Sequence, residues 1–286
     1  MSTLSDALAQ NPSEAPHPRV AALLDELARA KAELAAAERQ RKAERQSIAE
    51  RQSLPSAHAI RTQRLHLPTR SPLLPFDDAN WHAAEQYRIA RTRITQHPQK
   101  PSVLVVSSAG TGDGKTVTAV NIAASLALSA EGNVVLVEAD FRRGTLHYQL
   151  GISSSAGLGE VLEGRASLSE ALIRTEQLPR LCVLQAGNPA SNAGELLDSP
   201  EWTGLADSLR HSFQYVVMDA PPVAGVADYE LIQAVCDGTL LVLRPDHSRR
   251  AAAFHALGAI PKDKLIGVIM NSVPHWFLDH PGLPEF

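Results

Sequence analysis

The chain has 286 residues, 44% apolar and 20% charged, enough to close one sizeable core. Its two cysteines, Cys182 and Cys236, form no CxxC pair, which argues against a disulfide scaffold or a zinc site. The net charge of −4 divides into +4 over residues 1–100 and −8 over the remainder, so the folded body lacks the basic face of a nucleic-acid binder.

Residues 1–18 carry Pro12, Pro16 and Pro18 among polar residues and read as a disordered tail. Residues 19–52 are rich in Ala, Glu, Arg, Leu and Gln and free of Pro and Gly, which predicts a helical extension. Its apolar stripe (Val20, Leu24, Leu27, Leu34) fades after Leu34, so a short coiled coil and a solvated helix both remain open. Residues 53–78, with Pro55, Pro68, Pro72 and Pro75, read as a linker, and a helix is expected from about Ala79 to Thr95. The body, 79–286, then alternates. Strands are expected at 102–107, 133–139, 181–185, 214–219, 239–244 and 265–270. Helices are expected at 115–130, 158–163, 168–174, 198–211, 226–235 and 249–258. Near-continuous apolar strands between helices imply an α/β fold with a doubly wound, mostly parallel sheet. No run approaches the ~18 apolar residues of a membrane span and no signal-peptide pattern opens the chain, so the expected location is the cytosol.

The stretch with the most chemical content is Ser107-Ser108-Ala109-Gly110-Thr111-Gly112-Asp113-Gly114-Lys115-Thr116, followed by Val117. Strand, glycine-rich turn, Gly-Lys-Thr and helix is the layout of a phosphate-binding loop. Glycines let several backbone N–H groups converge on one spot, and the helix that follows adds its positive end. Lys115 would meet the outer phosphates of ATP as a point charge and the Thr116 hydroxyl would hold Mg²⁺. The strict pattern asks for Gly where Ala109 stands, and Gly110 and Gly112 are expected to take the tight positions. The plain alternative is a glycine-containing corner with an incidental lysine.

Two strand ends add carboxylates. Glu138 and Asp140, two residues apart, would share one strand face over the crevice at the carboxyl edge of a parallel sheet. They are candidates for Mg²⁺ and for the base that accepts a proton from an incoming hydroxyl, or simply exposed acids at a strand exit. Asp219, at the end of Tyr215-Val216-Val217-Met218 and before Ala220-Pro221-Pro222, is a Walker B-type candidate for a metal water. Asn271 ends the last strand and would either meet a base edge or cap a turn.

With these pieces in order, the chain resembles the bacterial tyrosine kinases, the P-loop family of capsule and exopolysaccharide systems, over roughly residues 80–272. The resemblance rests on the loop Ser107–Thr116, Glu138-Ala139-Asp140-Phe141-Arg142-Arg143, the run Tyr215 to Asp228 with Val226-Ala227-Asp228, and Glu85, Arg88 and Arg91, which match the family's Glu-x-x-Arg-x-x-Arg motif. It implies ATP and Mg²⁺ as cofactors and a homo-oligomeric ring built through Glu85, Arg88 and Arg91. It also implies a membrane polysaccharide co-polymerase or activator as partner, peripheral placement at the inner face of the membrane, and no nucleic-acid partner. The septum-site and partitioning ATPases, related by fold, carry an extra lysine where Gly110 stands, which favours the kinase branch.

Two departures stand out. The family's second-strand motif usually opens with Asp, and here it is Glu138. The segment after Asn271 holds no tyrosine, whereas family members typically end in a tyrosine-rich tail that they autophosphorylate. The reading is therefore an Mg-ATP-dependent tyrosine kinase-like ATPase. Its rival is a nucleotide-gated assembly ATPase of the same fold that modifies no tyrosine.

Overall fold

The computed structural model describes residues 29, 31, 36, 60–68, 71–74, 76, 80–153, 156–188, 192–223 and 227–273. The chain divides into two compact units, 1–47 and 48–286. Of the first, Arg29, Lys31 and Ala36 are helical and exposed. The tail expected at 1–18 and most of the helix expected at 19–52 lie outside the described residues.

The second unit is an α/β layer structure around one eight-stranded sheet. Its strands are β1 (Arg61–Gln63), β2 (Val103–Ser108), β3 (Val134–Glu138), β4 (Leu172–Thr175), β5 (Leu181–Leu184), β6 (Tyr215–Asp219), β7 (Gly238–Leu243) and β8 (Leu265–Met270). They lie in the order β1-β4-β5-β3-β6-β2-β7-β8, and every pairing is parallel except β4 with β5. The helices are α1 (Trp81–Thr95), α2 (Lys115–Ser129), α3 (Leu146–Leu150), α4 (Leu158–Leu162), α5 (Leu168–Ala171), α6 (Ala193–Leu197), α7 (Pro200–Ser212), α8 (Asp228–Ala234) and α9 (Arg250–Ala259).

The central strands are apolar on both faces because both faces are covered. Val103 and Val105 of β2, Val135 and Val137 of β3, and Val216 and Met218 of β6 enter one core layer with Trp202, Leu205 and Leu209 of α7. Leu104, Val106, Val134, Leu136 and Val217 enter the other, under Ala119, Ile122, Ala123 and Leu126 of α2. Alanines at the α2 contact let that helix lie close to the sheet that feeds it.

Within the expected linker, the described residues 60–68 and 71–74 are built into the fold. β1 extends the sheet by pairing with β4, and Leu65 and Leu73 are buried in the α2-side core. Asn121, buried in α2, fastens this strap at both ends of its amide: its Oδ1 accepts the Leu74 N–H at 2.8 Å and its Nδ2 donates to the Pro72 carbonyl at 2.9 Å. Prolines suit such a strap, since it needs few donors of its own. The helix expected over 168–174 also ends early, at Ala171, and Leu172–Thr175 turn into β4, whose partner is the antiparallel β5.

The order of strands decides the site. β6 lies between β2 and β3, and Asp219 stands opposite Val106 on one side and Glu138 on the other. The loop after β2, the acid ending β6 and the acids ending β3 therefore share one sheet edge, the carboxyl edge where ligands bind in such folds.

Candidate active site

The loop from Ala109 to Gly114 joins β2 to α2, and two of its glycines have left-handed backbones: Gly112 at φ 89° and Gly114, the residue capping α2, at φ 94°. A side chain is strained at such φ values. At Gly114 a Cβ would also collide with the Asn271 amide nitrogen. Ala109 needs no such freedom: its methyl is buried in the core beneath the loop, which explains the departure from the strict pattern.

The loop is braced from within. Asp113 is fully buried; its Oδ2 accepts the Gly110 N–H at 2.8 Å and its Oδ1 lies 2.9 Å from His247 Nδ1. Arg244 Nη1 donates to the Gly112 carbonyl at 3.4 Å. Asn271 Nδ2 donates to the Asp113 carbonyl at 2.9 Å and its Oδ1 accepts the Ser272 N–H. Asn271 thus reaches the expected loop, with its amide engaged in holding the loop rather than turned out toward a base. The Pro221-Pro222 segment is tied down as well: Ser107 Oγ donates to the Pro221 carbonyl at 2.6 Å and the Val223 N–H to the Ser108 carbonyl at 2.9 Å. Val117 packs against the α2-side core, and Thr111 is exposed at the loop crest.

Lys115, Thr116, Asp140 and Asp219 converge. Lys115 Nζ lies 2.8 Å from Asp140 Oδ2 and 3.8 Å from Asp219 Oδ1. The Thr116 hydroxyl stands beside Asp219 and favours its ionised form. Burial works against the Lys115 ammonium, but Asp219, Asp140 and Glu138 outweigh it and its pKa is raised. Burial pushes Asp219 up to about 6 against the pull of Lys115 and Thr116, with Glu138 and Asp140 adding to the rise.

Glu138 is placed otherwise than expected. Its Oε1 accepts the N–H groups of Thr145 at 2.7 Å and Leu146 at 2.8 Å, and its Oε2 accepts that of Ala186 at 3.0 Å. Both oxygens are occupied by backbone, so this carboxylate latches the β3 exit to the start of α3 and to the loop after β5. The sequence expectation for Glu138 is general base and metal ligand, and these bonds favour the latching role instead. The longer side chain is what allows the reach. Arg142, one turn further on, donates from Nε to Asp228 Oδ2 at 2.8 Å, fixing the same exit to α8.

The remaining acids fit a hydrated Mg²⁺. Asp140 Oδ1 and Asp219 Oδ1 are buried and lack hydrogen-bond partners among the described residues, beside a threonine hydroxyl. Such orphaned oxygens are costly without a counter-charge or a polarised water. Among the described residues no group of three or more His, Cys, Asp or Glu forms a cage for a metal. Magnesium on nucleotide phosphates uses one or two carboxylates and several waters, so no cage is needed.

No protein-family model matches the chain. It is 34% identical over 193 residues to the tyrosine-protein kinase YwqD of Bacillus subtilis, spanning 66% of this chain and 80% of that one. It is 35% identical over 197 residues to the tyrosine-protein kinase CpsD of Streptococcus pneumoniae, spanning 67% and 85%. This chain belongs to the bacterial tyrosine-kinase family. Among solved structures, the VpsO kinase domain superposes with a TM-score of 0.61 at 30% identity, covering 68% of this chain and 96% of that domain. Membership makes the chain an ATP-dependent phosphotransferase of the P-loop class.

Several supports of this kinase site were missed in the sequence: the Asp113–His247 pair, Arg244, the Ser107–Pro221 link and Arg142–Asp228. A buried-looking Asp between two glycines was the one signal available, and its partner lies 134 residues away. The third predicted group lies elsewhere, on α1. Arg88 Nη1 pairs with Glu85 Oε2 at 2.7 Å on the outer face, while Arg91 Nη1 turns to the Ser125 carbonyl at 3.3 Å.

Proposed function

We propose that this chain binds Mg²⁺-ATP on the loop Ala109–Thr116 and transfers the γ-phosphoryl group to tyrosine in the control of capsule or exopolysaccharide assembly. The observation that carries the site assignment is the convergence of Lys115, Thr116, Asp140 and Asp219, with the buried Asp140 Oδ1 free of any hydrogen bond among the described residues. Bound there, Mg²⁺ would offset charge on the phosphate oxygens. The backbone N–H groups of the loop beyond Gly110, with Gly112 and Gly114 giving the turn, would meet the β-phosphate, while the Gly110 N–H braces the loop on Asp113. Lys115 neutralises charge building on the transferring group. Thr116 and Asp219 hold the metal and its waters. Asp140, with a free Oδ1 and both Glu138 oxygens occupied, takes the role of base for the incoming hydroxyl. Phosphoryl transfer depends on such positioning and charge stabilisation.

The site is further proposed to work in a ring. The exposed Glu85–Arg88 pair supports contact with a second copy, and family membership supports a membrane-bound activator. Among the described residues no helix is long and apolar enough to cross a membrane, so attachment at the inner membrane face would run through that partner.

Titration calorimetry tests the site. Mg²⁺-dependent uptake of ATP and ADP is expected. Lys115→Met should weaken it about tenfold or more, the equivalent of one charge-assisted contact of about 1.5–3 kcal/mol, and abolish turnover. Retained hydrolysis in that variant would refute the assignment.

A further inference from the structure

The chain has four tyrosines, Tyr87, Tyr148, Tyr215 and Tyr229. Three are built into the fold. Tyr229 is 2% exposed, its hydroxyl 2.9 Å from Thr239 Oγ1 in the core. Burial raises the pKa of Tyr87, with Asn121 beside it pulling the other way, and its ring packs on the α2-side core. Tyr215 opens β6 in the middle of the sheet and its ring packs, half-buried, on the same layer. Phosphorylating Tyr229 would require the domain to open, and none of the three stands clear of the fold.

Tyr148 differs in every respect. Its side chain is 77% exposed, and its hydroxyl has no hydrogen bond among the described residues. It contributes little to packing: α3 is anchored by Leu146 and Leu150, both buried in the core, while Tyr148 touches the neighbouring His147 ring at 3.9 Å between centroids. Yet it is not carried on a loose tip. The Thr145 and Leu146 amides, three and two residues before it, are held by Glu138, and the Leu150 carbonyl accepts the His66 N–H at 2.9 Å. A phenol is thus presented on a fixed helical turn after the exit of β3, preceded in sequence by Arg143, whose charge complements a phosphate.

We propose that Tyr148 is the residue this kinase phosphorylates on its own chain, in trans, the donor site being that of a second copy. This rests on the kinase reading above. The inward face of α3 is packed against the core of its own domain, so the hydroxyl points away from the fold that carries it. The phenolic oxygen forms a bond to the γ-phosphorus of ATP. The bond from that phosphorus to the β–γ bridging oxygen breaks, ADP leaves with the electron pair, and the phenolic proton is released.

The test uses the full chain, first treated with a phosphatase and then incubated with Mg²⁺-ATP, with poly(Glu,Tyr) as an external acceptor. Peptide mass spectrometry is expected to find phosphate on Tyr148. A tagged Lys115→Met chain should acquire it only when the wild-type chain is present. Tyr148→Phe should lose nearly all phosphotyrosine on the chain while still phosphorylating poly(Glu,Tyr). Phosphate on Tyr87, Tyr215 or Tyr229 in place of Tyr148, or undiminished phosphotyrosine in Tyr148→Phe, overturns the proposal and leaves the kinase reading standing. So does an unmodified chain beside a phosphorylated poly(Glu,Tyr). If neither acceptor is phosphorylated while ATP is hydrolysed, the tyrosine-kinase reading falls together with the proposal.

Discussion

Asp219→Asn separates the demands of folding from those of the site. Asp219 is buried beside Asp140 and Glu138, with Lys115 as the nearby cation, and burial pushes its pKa up to about 6 against an ordinary 3.8. A carboxyl raised in the folded state binds its proton more tightly there than in the unfolded chain. Its favourable contribution is complete below about pH 4 and is lost as the pH rises through about 6. Two pKa units correspond to about 3 kcal/mol. Asparagine cannot ionise, and the Thr116 hydroxyl can rotate to accept from its amide. The variant should therefore match the wild type near pH 4, gain on it as the pH rises, and exceed it by about 3 kcal/mol above pH 6, roughly 6–12 °C in Tm. Urea unfolding at several pH values, in EDTA and without nucleotide, measures the gap. Turnover with Mg²⁺-ATP should fall about 100-fold or more, the usual scale for removing one group that stabilises a transition state. A gap independent of pH between 4 and 7, or a variant less stable than wild type at pH 7, would refute the electrostatic account.

Glu138→Asp places the family's usual residue into this site, yet it should weaken the protein. The shorter side chain withdraws by about 1.5 Å from the amides of Thr145, Leu146 and Ala186. Leaving buried donors unpaired costs about 1–3 kcal/mol each; chemical denaturation should register a loss of that order and turnover should drop, whereas raised turnover would return Glu138 to the role of base. On α1, Arg88→Ala combined with Arg91→Ala should shift the chain toward monomer in sizing with light scattering. Arg91 also donates to the Ser125 carbonyl, so Arg88→Ala alone isolates the outer face, and an unchanged mass for both variants would end the ring proposal.

Much of the site was legible because its signals are local. The glycine-rich loop, the Lys-Thr that opens α2 and the apolar runs that end in Glu138 and Asp219 are properties of a few consecutive residues, although the tight positions fall on Gly112 and Gly114 and not, as expected, on Gly110. Their meeting at one edge follows from a parallel sheet. Strands β2, β3, β5, β6, β7 and β8 are long or apolar enough to be read the same way. β1, with the polar sequence Arg-Thr-Gln, and β4, a continuation of a capped helical turn, carry no such pattern. Each is a strand because the neighbouring edge offers it hydrogen bonds.

The chain by itself determined the class of fold, the anion-binding loop and which acids accompany it, since backbone conformation and apolar periodicity are written in adjacent positions. Tertiary structure alone decided which partners each acid meets. Asp140 keeps an unpartnered Oδ1 and Asp219 faces Lys115, while Glu138, on the same strand end as Asp140, is taken up by three backbone amides up to 48 residues away. A carboxylate's role depends on which donors reach it first, and those donors are brought to it by the packing of distant segments.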